Sequence, residues 1–150
     1  MMKAIVAYAS LTGNTLEAAD VITGALEALD VEVEMLEAQE VYGEDFLDVD
    51  ICLVGTYTYG AEIPDPMLDL YEDLNDLDLT GKVFGTFGSG DHEYEAYCQS
   101  VYDFYDQFLK TNATPGGNPV TVELAVERED IAPLEALAKQ CVTVAQSMIG

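Results

Sequence analysis

The apolar residues of the chain form short runs that recur along its length. Three runs, at residues 3–9, 50–56 and 82–88, are almost continuous in apolar or small side chains. This pattern is typical of strands that are buried on both faces, as in the centre of a parallel sheet. A fourth run at 31–37 alternates, with Glu32 and Glu34 on one side, and predicts an edge strand. A fifth run at 119–125 predicts the last strand.

Helical periodicity separates these runs. In TLEAADVITGALEAL the apolar residues recur at intervals of three and four, which forms the stripe of an amphipathic helix. Residues 66–74, 95–110 and 131–149 have similar patterns, whereas 38–48 predicts only a short helix. Strand and helix thus alternate five times, without a linker, over residues 1–150. We expect one α/β domain, an open parallel sheet of five strands with helices on both faces.

The charge composition indicates which classes of molecule this protein can bind. There are 29 Asp and Glu residues against 5 Lys and Arg, which gives a formal net charge of −24. Nucleic acids and anionic membranes need a basic patch, so a protein with a basic face is the expected partner. A hydrophobic content of 49% indicates a folded chain with an acidic surface. Because no signal peptide or membrane-spanning segment is evident, we expect a cytoplasmic protein.

Metal and disulfide chemistry find little support in the sequence. Cys52, Cys98 and Cys141 occur singly, and His92 is the one histidine. A structural zinc site needs about four clustered Cys or His ligands, so we expect no metal site. An odd number of cysteines in a reducing compartment also argues against a disulfide framework.

Ligands of open parallel sheets bind at the carboxyl ends of the strands, where the strand order reverses. The loop after the first run is SLTGNT, at residues 10–15. It offers the hydroxyls of Ser10, Thr12 and Thr15 and the amide of Asn14, and Gly13 lets the backbone approach a ligand. Since a helix starts directly after it, this loop predicts an anion site. A simpler alternative is that Asn14 or Thr15 only caps the helix.

The other two loops add aromatic side chains to this edge of the sheet. TYTYGAEIPDP carries Tyr57 and Tyr59 beside Gly60, and SGDHEYEAY carries Tyr94 and Tyr97. Core tyrosines are the simpler explanation, but two rings from separate loops can also sandwich a planar molecule. The motifs GxxxxGK[ST] and GxGxxG are absent, which argues against a nucleoside triphosphate or a nicotinamide cofactor. The three loops together predict a flat, phosphorylated cofactor.

These motifs resemble those of flavodoxins. SLTGNT matches the S/T-x-T-G-N-T phosphate loop of that family, and TYTYG and FGSGDHEY are similar to its second and third loops, in the same order. The similarity extends over essentially the whole chain and is greatest to the short-chain group. It implies a sheet of order 2-1-3-4-5 and an electron carrier, not an enzyme, that binds FMN noncovalently. Flavodoxin is itself a standard example of this topology, with FMN at the point where strand order reverses.

The resemblance also implies roles for particular residues. The phosphate would be held by the first loop, at Ser10, Leu11, Thr12, Gly13, Asn14 and Thr15. Tyr59 and Tyr94 would stack on the two faces of the isoalloxazine ring. The remaining contacts to the ring and the ribityl chain would come from Thr56, Tyr57, Thr58, Gly60, Ser89, Gly90, Asp91 and Cys98. One departure from the family is Ala61, which follows Gly60 where flavodoxins commonly have Asp.

Three other functions compete with that of an electron carrier. A flavodoxin-like flavin or quinone reductase needs room over the flavin, which Tyr59 and Tyr94 would occupy. A flavodoxin-like activator of ribonucleotide reductase is less similar in the tyrosine loops. A signalling receiver domain needs an acidic pair, a phosphoaccepting Asp and a Lys that this sequence lacks at the corresponding positions. We expect a monomer whose partners are redox proteins with basic docking faces, such as a flavodoxin or ferredoxin reductase and an electron-accepting enzyme.

Overall fold

The computed structural model describes residues 1–58, 62–91 and 97–149. Its strands are all parallel, in the order β2-β1-β3-β4-β5, with β6 also paired to β4. This order confirms the predicted topology. The strands are β1 (Lys3–Tyr8), β2 (Glu32–Glu37), β3 (Ile51–Tyr57), β4 (Val83–Gly90), β5 (Thr114–Pro115) and β6 (Val120–Glu123).

The fifth position in the sheet is divided into two short strands, which the sequence pattern did not predict. Thr114 and Pro115 pair with Val83 and Phe84, and pairing resumes where Val120 meets Phe87. Four residues, 116–119, therefore lie opposite two residues of β4. This excess interrupts the ladder as a bulge does.

The described part of the chain contains four α-helices, three of them between strands and the fourth after β6. They are α1 (Asn14–Glu27), α2 (Asp65–Asp73), α3 (Gln99–Lys110) and α4 (Arg128–Ile149). The weak helical prediction at 38–48 corresponds to two 3₁₀ segments, Ala38–Glu40 and Gly43–Asp48, and a third, Leu74–Asp76, follows α2. None of the helices in the described part of the chain is long and apolar enough to cross a membrane.

The sheet separates two apolar layers. One layer packs α1 and α4 on the sheet, with Ile22 and Leu134 among its buried side chains. The other packs α2 and α3 on the opposite face, around Phe84, Phe104 and Phe108. Six of the seven residues of β3 are buried, as predicted for a central strand, whereas β2 alternates between exposed glutamates and half-buried apolar side chains. The carboxyl ends of β1, β3 and β4 therefore meet at one edge of the sheet.

Candidate functional site

A cleft of about 200 Å³ opens at the carboxyl ends of these strands. It lies beside the junction of β1 and β3, where the strand order reverses. Ten residues line it: Ser10, Leu11, Thr12, Asn14, Tyr57, Thr58, Ser89, Gly90, Asp91 and Leu124. The cleft thus joins residues from all three loops that the sequence predicted, together with one residue that follows β6.

The first loop is organised by the hydroxyl of Ser10. Its Oγ accepts hydrogen bonds from the backbone N–H of Gly13 at 3.0 Å and of Leu16 at 3.3 Å. Gly13 has a φ of 94°, in the left-handed region that glycine adopts without a steric penalty, and α1 starts at the next residue. The alternative that Asn14 or Thr15 caps this helix is therefore wrong, because the serine four residues upstream of Asn14 accepts the amide of the first turn.

The first loop and the start of α1 have free donors for an anion. The backbone N–H groups of Leu11, Thr12, Asn14 and Thr15 donate to no acceptor in the described part of the chain. The first amides of a helix have no partner within the helix, and the helix dipole places partial positive charge there. Thr12 is exposed beside them. These donors fit a phosphate group without a lysine or arginine.

A buried hydrogen bond joins the first loop to β4. Thr15 Oγ1 lies 2.8 Å from Ser89 Oγ, and the two residues are 1% and 5% exposed. The pair lies beneath the cleft and fixes the start of α1 against the end of β4. Thr15 therefore supports the loop from below, while Ser89 also lines the cleft.

Tyr57 provides an aromatic wall from the end of β3. Its ring is half-buried, and burial, with a further contribution from the negative charge of Asp65, raises the pKa of its phenol. The hydroxyl therefore stays protonated at neutral pH, and the ring adds no charge of its own. An open groove of about 400 Å³ shares Leu11 and Tyr57 with the cleft and is also lined by Glu62, Ile63 and Asp65.

Besides Thr15, two further predicted cofactor contacts lie behind the cleft and do not line it. Thr56 is fully buried, with its hydroxyl 3.2 Å from the carbonyl oxygen of Tyr57. Cys98 is also fully buried, and its Sγ lies 4.0 Å from the carbonyl oxygen of Val122. Burial raises the pKa of the Cys98 thiol to about 11. This sulfur packs against Gly90, where an added Cβ would come within 2.9 Å of it.

Three predicted residues, Tyr59, Gly60 and Tyr94, lie outside the described residues, as does Ala61. Their roles stay predictions. In the described part of the chain no group of His, Cys, Asp or Glu side chains is placed to hold a metal ion.

Leu124 is a lining residue that the sequence analysis missed. It is 50% exposed and has a φ of 58°, a left-handed conformation that is rare for a bulky residue. Its backbone N–H donates to the carbonyl oxygen of Gly90 at 2.9 Å, which holds it at the cleft. The alternation of PVTVELA placed this leucine within a strand. A search of the loop after the fifth strand, which opens on the same edge of the sheet, would have found it.

Comparison with known proteins identifies the family. The family model for flavodoxin matches residues 6–133. The chain belongs to the flavodoxin family. Flavodoxins are electron carriers that bind FMN and are not enzymes, so the reductase, activator and receiver alternatives are set aside. Membership also means that other redox proteins are its partners.

Individual relatives support this assignment. A probable flavodoxin 2 of Bacillus subtilis (strain 168) is 41% identical over 129 residues, which cover 85% of this chain and 83% of that protein. The solved structure of a flavodoxin from Streptococcus pneumoniae TIGR4 has a TM-score of 0.92 at 45% identity, covering 95% of this chain and 99% of that one. A short-chain flavodoxin associated with a bacterial microcompartment has a TM-score of 0.94 at 40% identity, covering 97% and 99%.

Proposed function

We propose that the cleft at the ends of β1, β3 and β4 holds FMN, with its phosphate at the first loop. The observation that carries this proposal is the set of four free amides in the first loop and at the start of α1, which donate to no acceptor in the described part of the chain. The hydroxyl of Thr12 and the amide of Asn14 would add hydrogen bonds. Gly13 would let the backbone come close to the phosphate oxygens.

The other lining residues would hold the flat part of the cofactor. Tyr57, Thr58, Ser89, Gly90 and Asp91 are placed to contact the ring or the ribityl chain. Tyr59 and Tyr94 keep their predicted roles as stacking partners, and Gly60 keeps its predicted contact with the ring or the ribityl chain. Thr15, Thr56 and Cys98 would support these contacts from behind the cleft.

FMN, when bound, accepts and releases electrons one at a time. This chain's own contribution is to bind it, to keep water from it with Tyr57 and Leu124, and to surround it with negative charge. A net charge of −24 disfavours any further negative charge in the cleft. We therefore propose that the protein works as a low-potential electron donor.

The proposed docking face is the groove that adjoins the cleft. Its carboxylates, Glu62 and Asp65, border the apolar side chains of Leu11 and Ile63. Such a surface suits a redox protein with basic residues around an apolar contact, for example a flavodoxin or ferredoxin reductase. Charge complementarity of this kind mainly raises the rate of association. We propose further that residues 1–150 act as one domain, as a monomer, in the cytoplasm.

The cofactor assignment is tested by purifying the protein and identifying any flavin released by acid. FMN is expected, and FAD or no flavin under FMN-replete conditions would overturn the proposal. The apoprotein of Thr12→Ala, titrated with FMN, should bind it about tenfold more weakly, because a hydrogen bond to a charged group is lost. Thr143→Ala, an exposed threonine of α4, is the matched control. Equal affinities in the two variants would refute the placement of the phosphate.

A further inference from the structure

Ser100, in the first turn of α3, makes several hydrogen bonds to β3 and to the residue that follows it. Its Oγ donates to the carbonyl oxygen of Tyr57 at 2.8 Å and lies 2.8 Å from Thr58 Oγ1. Its backbone N–H donates to Thr58 Oγ1 at 3.1 Å. A longer contact of 3.3 Å joins it to Thr56 Oγ1. One serine therefore engages three consecutive residues, the last two of β3 and the one that follows it.

The protons of this cluster can be assigned consistently. If the Ser100 hydroxyl donates to Tyr57, then Thr58 Oγ1 donates to Ser100 Oγ and accepts the Ser100 amide. Thr56 Oγ1 donates to the same Tyr57 carbonyl. Each hydroxyl then has a partner, and the Ser100 amide, which has no partner within its own helix, is satisfied by a threonine outside it. The arrangement is a helix cap supplied by a neighbouring strand end.

Burial makes these hydrogen bonds hard to replace by water. Ser100 and Thr56 are 0% exposed and Thr58 is 8% exposed. A buried hydroxyl or carbonyl that loses its partner remains unsatisfied, which is unfavourable. The end of β3 is further fixed on its other side, where the Thr58 N–H donates to the Ser89 carbonyl oxygen at 3.1 Å. Tyr57 and Thr58 are therefore held between α3 and β4.

We propose that Ser100 is a positioning residue for the flavin site. It does not line the cleft, but Tyr57 and Thr58, which it holds, form one wall of it. By fixing the Tyr57 carbonyl and the Thr58 hydroxyl, it sets where this wall stands relative to Ser89 and Gly90. The inference rests on the proposed function, because it assigns the effect of Ser100 to the binding of FMN.

The test compares Ser100→Ala with Thr111→Val, a matched control at the other end of α3. Thr111 is fully buried, donates to the Phe108 carbonyl oxygen and accepts the Ala113 amide, so its loss also removes buried hydrogen bonds. Both variants should lower the urea midpoint of the apoprotein. Only Ser100→Ala should weaken FMN binding, by about tenfold, which corresponds to one buried hydrogen bond. It should also change the visible circular dichroism of the bound flavin.

Thr56→Val provides a second variant if Ser100→Ala does not fold. It keeps the shape of the side chain and removes one hydroxyl of the cluster, so a smaller loss of FMN affinity in the same direction is expected. If both variants bind FMN within about twofold of Thr111→Val, with an unchanged flavin spectrum, Ser100 has no positioning role. If the parent apoprotein itself binds no FMN, the proposed function fails, and this inference fails with it. If the parent binds FMN and the variants bind it equally well, only the role of Ser100 is refuted.

Discussion

The hydrogen bond between Thr15 and Ser89 offers a direct test of how the cleft is held together. It joins the start of α1 to the end of β4, 74 residues apart in sequence. Neither hydroxyl has another partner in the described part of the chain, and both residues are almost fully buried. The perturbation is a double-mutant cycle of Thr15→Val and Ser89→Ala in the apoprotein.

The structure sets the expected free energies of unfolding. Thr15→Val keeps the side-chain shape but leaves the Ser89 hydroxyl buried without a partner, which should lower the free energy of unfolding by about 1–2 kcal/mol. Ser89→Ala should have a similar effect for the same reason. The double variant leaves no orphaned hydroxyl, so its loss should be smaller than the sum of the two by about 1 kcal/mol.

Thr86 supplies the control within the same strand. Its hydroxyl is buried and has no hydrogen-bond partner among the described residues. It lies opposite residues 116–119, where the ladder to the fifth strand is interrupted. Thr86→Val therefore removes a desolvated hydroxyl without breaking a bond, and it should raise the free energy of unfolding by up to about 1 kcal/mol.

The assay is urea unfolding of the four cycle proteins and the Thr86 variant, followed by circular dichroism. The slope of the free energy against urea should stay constant, so that midpoints report stability. Additive losses within about 0.3 kcal/mol would show that the Thr15 and Ser89 side chains do not interact. A loss in Thr86→Val as large as that in Ser89→Ala would show that hydrogen bonding is not what distinguishes these sites.

Two further predictions concern Leu124 and the buried thiols. Leu124→Gly should leave the stability of the apoprotein unchanged or raise it by up to about 1 kcal/mol, because glycine adopts the left-handed conformation without strain. The same variant should bind FMN more weakly. A clear loss of stability in urea unfolding would contradict this prediction. Burial raises the pKa of Cys52 above its usual 9.0 and that of Cys141 to about 12, so the native state keeps protons that the unfolded chain releases. The free energy of unfolding should therefore fall as pH rises above about 9, by about 1.4 kcal/mol per thiol at about pH 10. Cys141→Ala should remove the contribution of one thiol to this fall. An unchanged pH profile of stability in that variant would show that the buried thiol does not cause it.

The hydrogen bonds of the first loop mark the limit of what its sequence could predict. SLTGNT contains several side chains that could cap a helix, and local rules favour each of them almost equally. The choice of Ser10 depends on the path of the loop, and Thr15 is unavailable because Ser89 engages it. Ser89 is 74 residues from Thr15, so the six residues of the loop cannot predict this partner.

The fifth strand and Leu124 mark a second limit. The alternating pattern of residues 119–125 correctly predicted a strand, but this strand ends at Glu123, and a separate two-residue strand, Thr114–Pro115, precedes it. Leu124 then turns into a left-handed conformation at the cleft. Periodicity gives the faces of a strand and does not give the residue at which pairing stops.

Local properties of the chain account for the alternation of strands and helices, the central and edge strands, the three loops at the cleft and the acidic surface. These features follow from the spacing of apolar residues and from composition, so they could be predicted without coordinates. The hydrogen bonds beneath the cleft depend instead on tertiary packing, as in those that Ser100 makes with Tyr57 and Thr58. Those partners are 42 to 43 residues apart, and only the packing of α3 against β3 brings them within hydrogen-bonding distance.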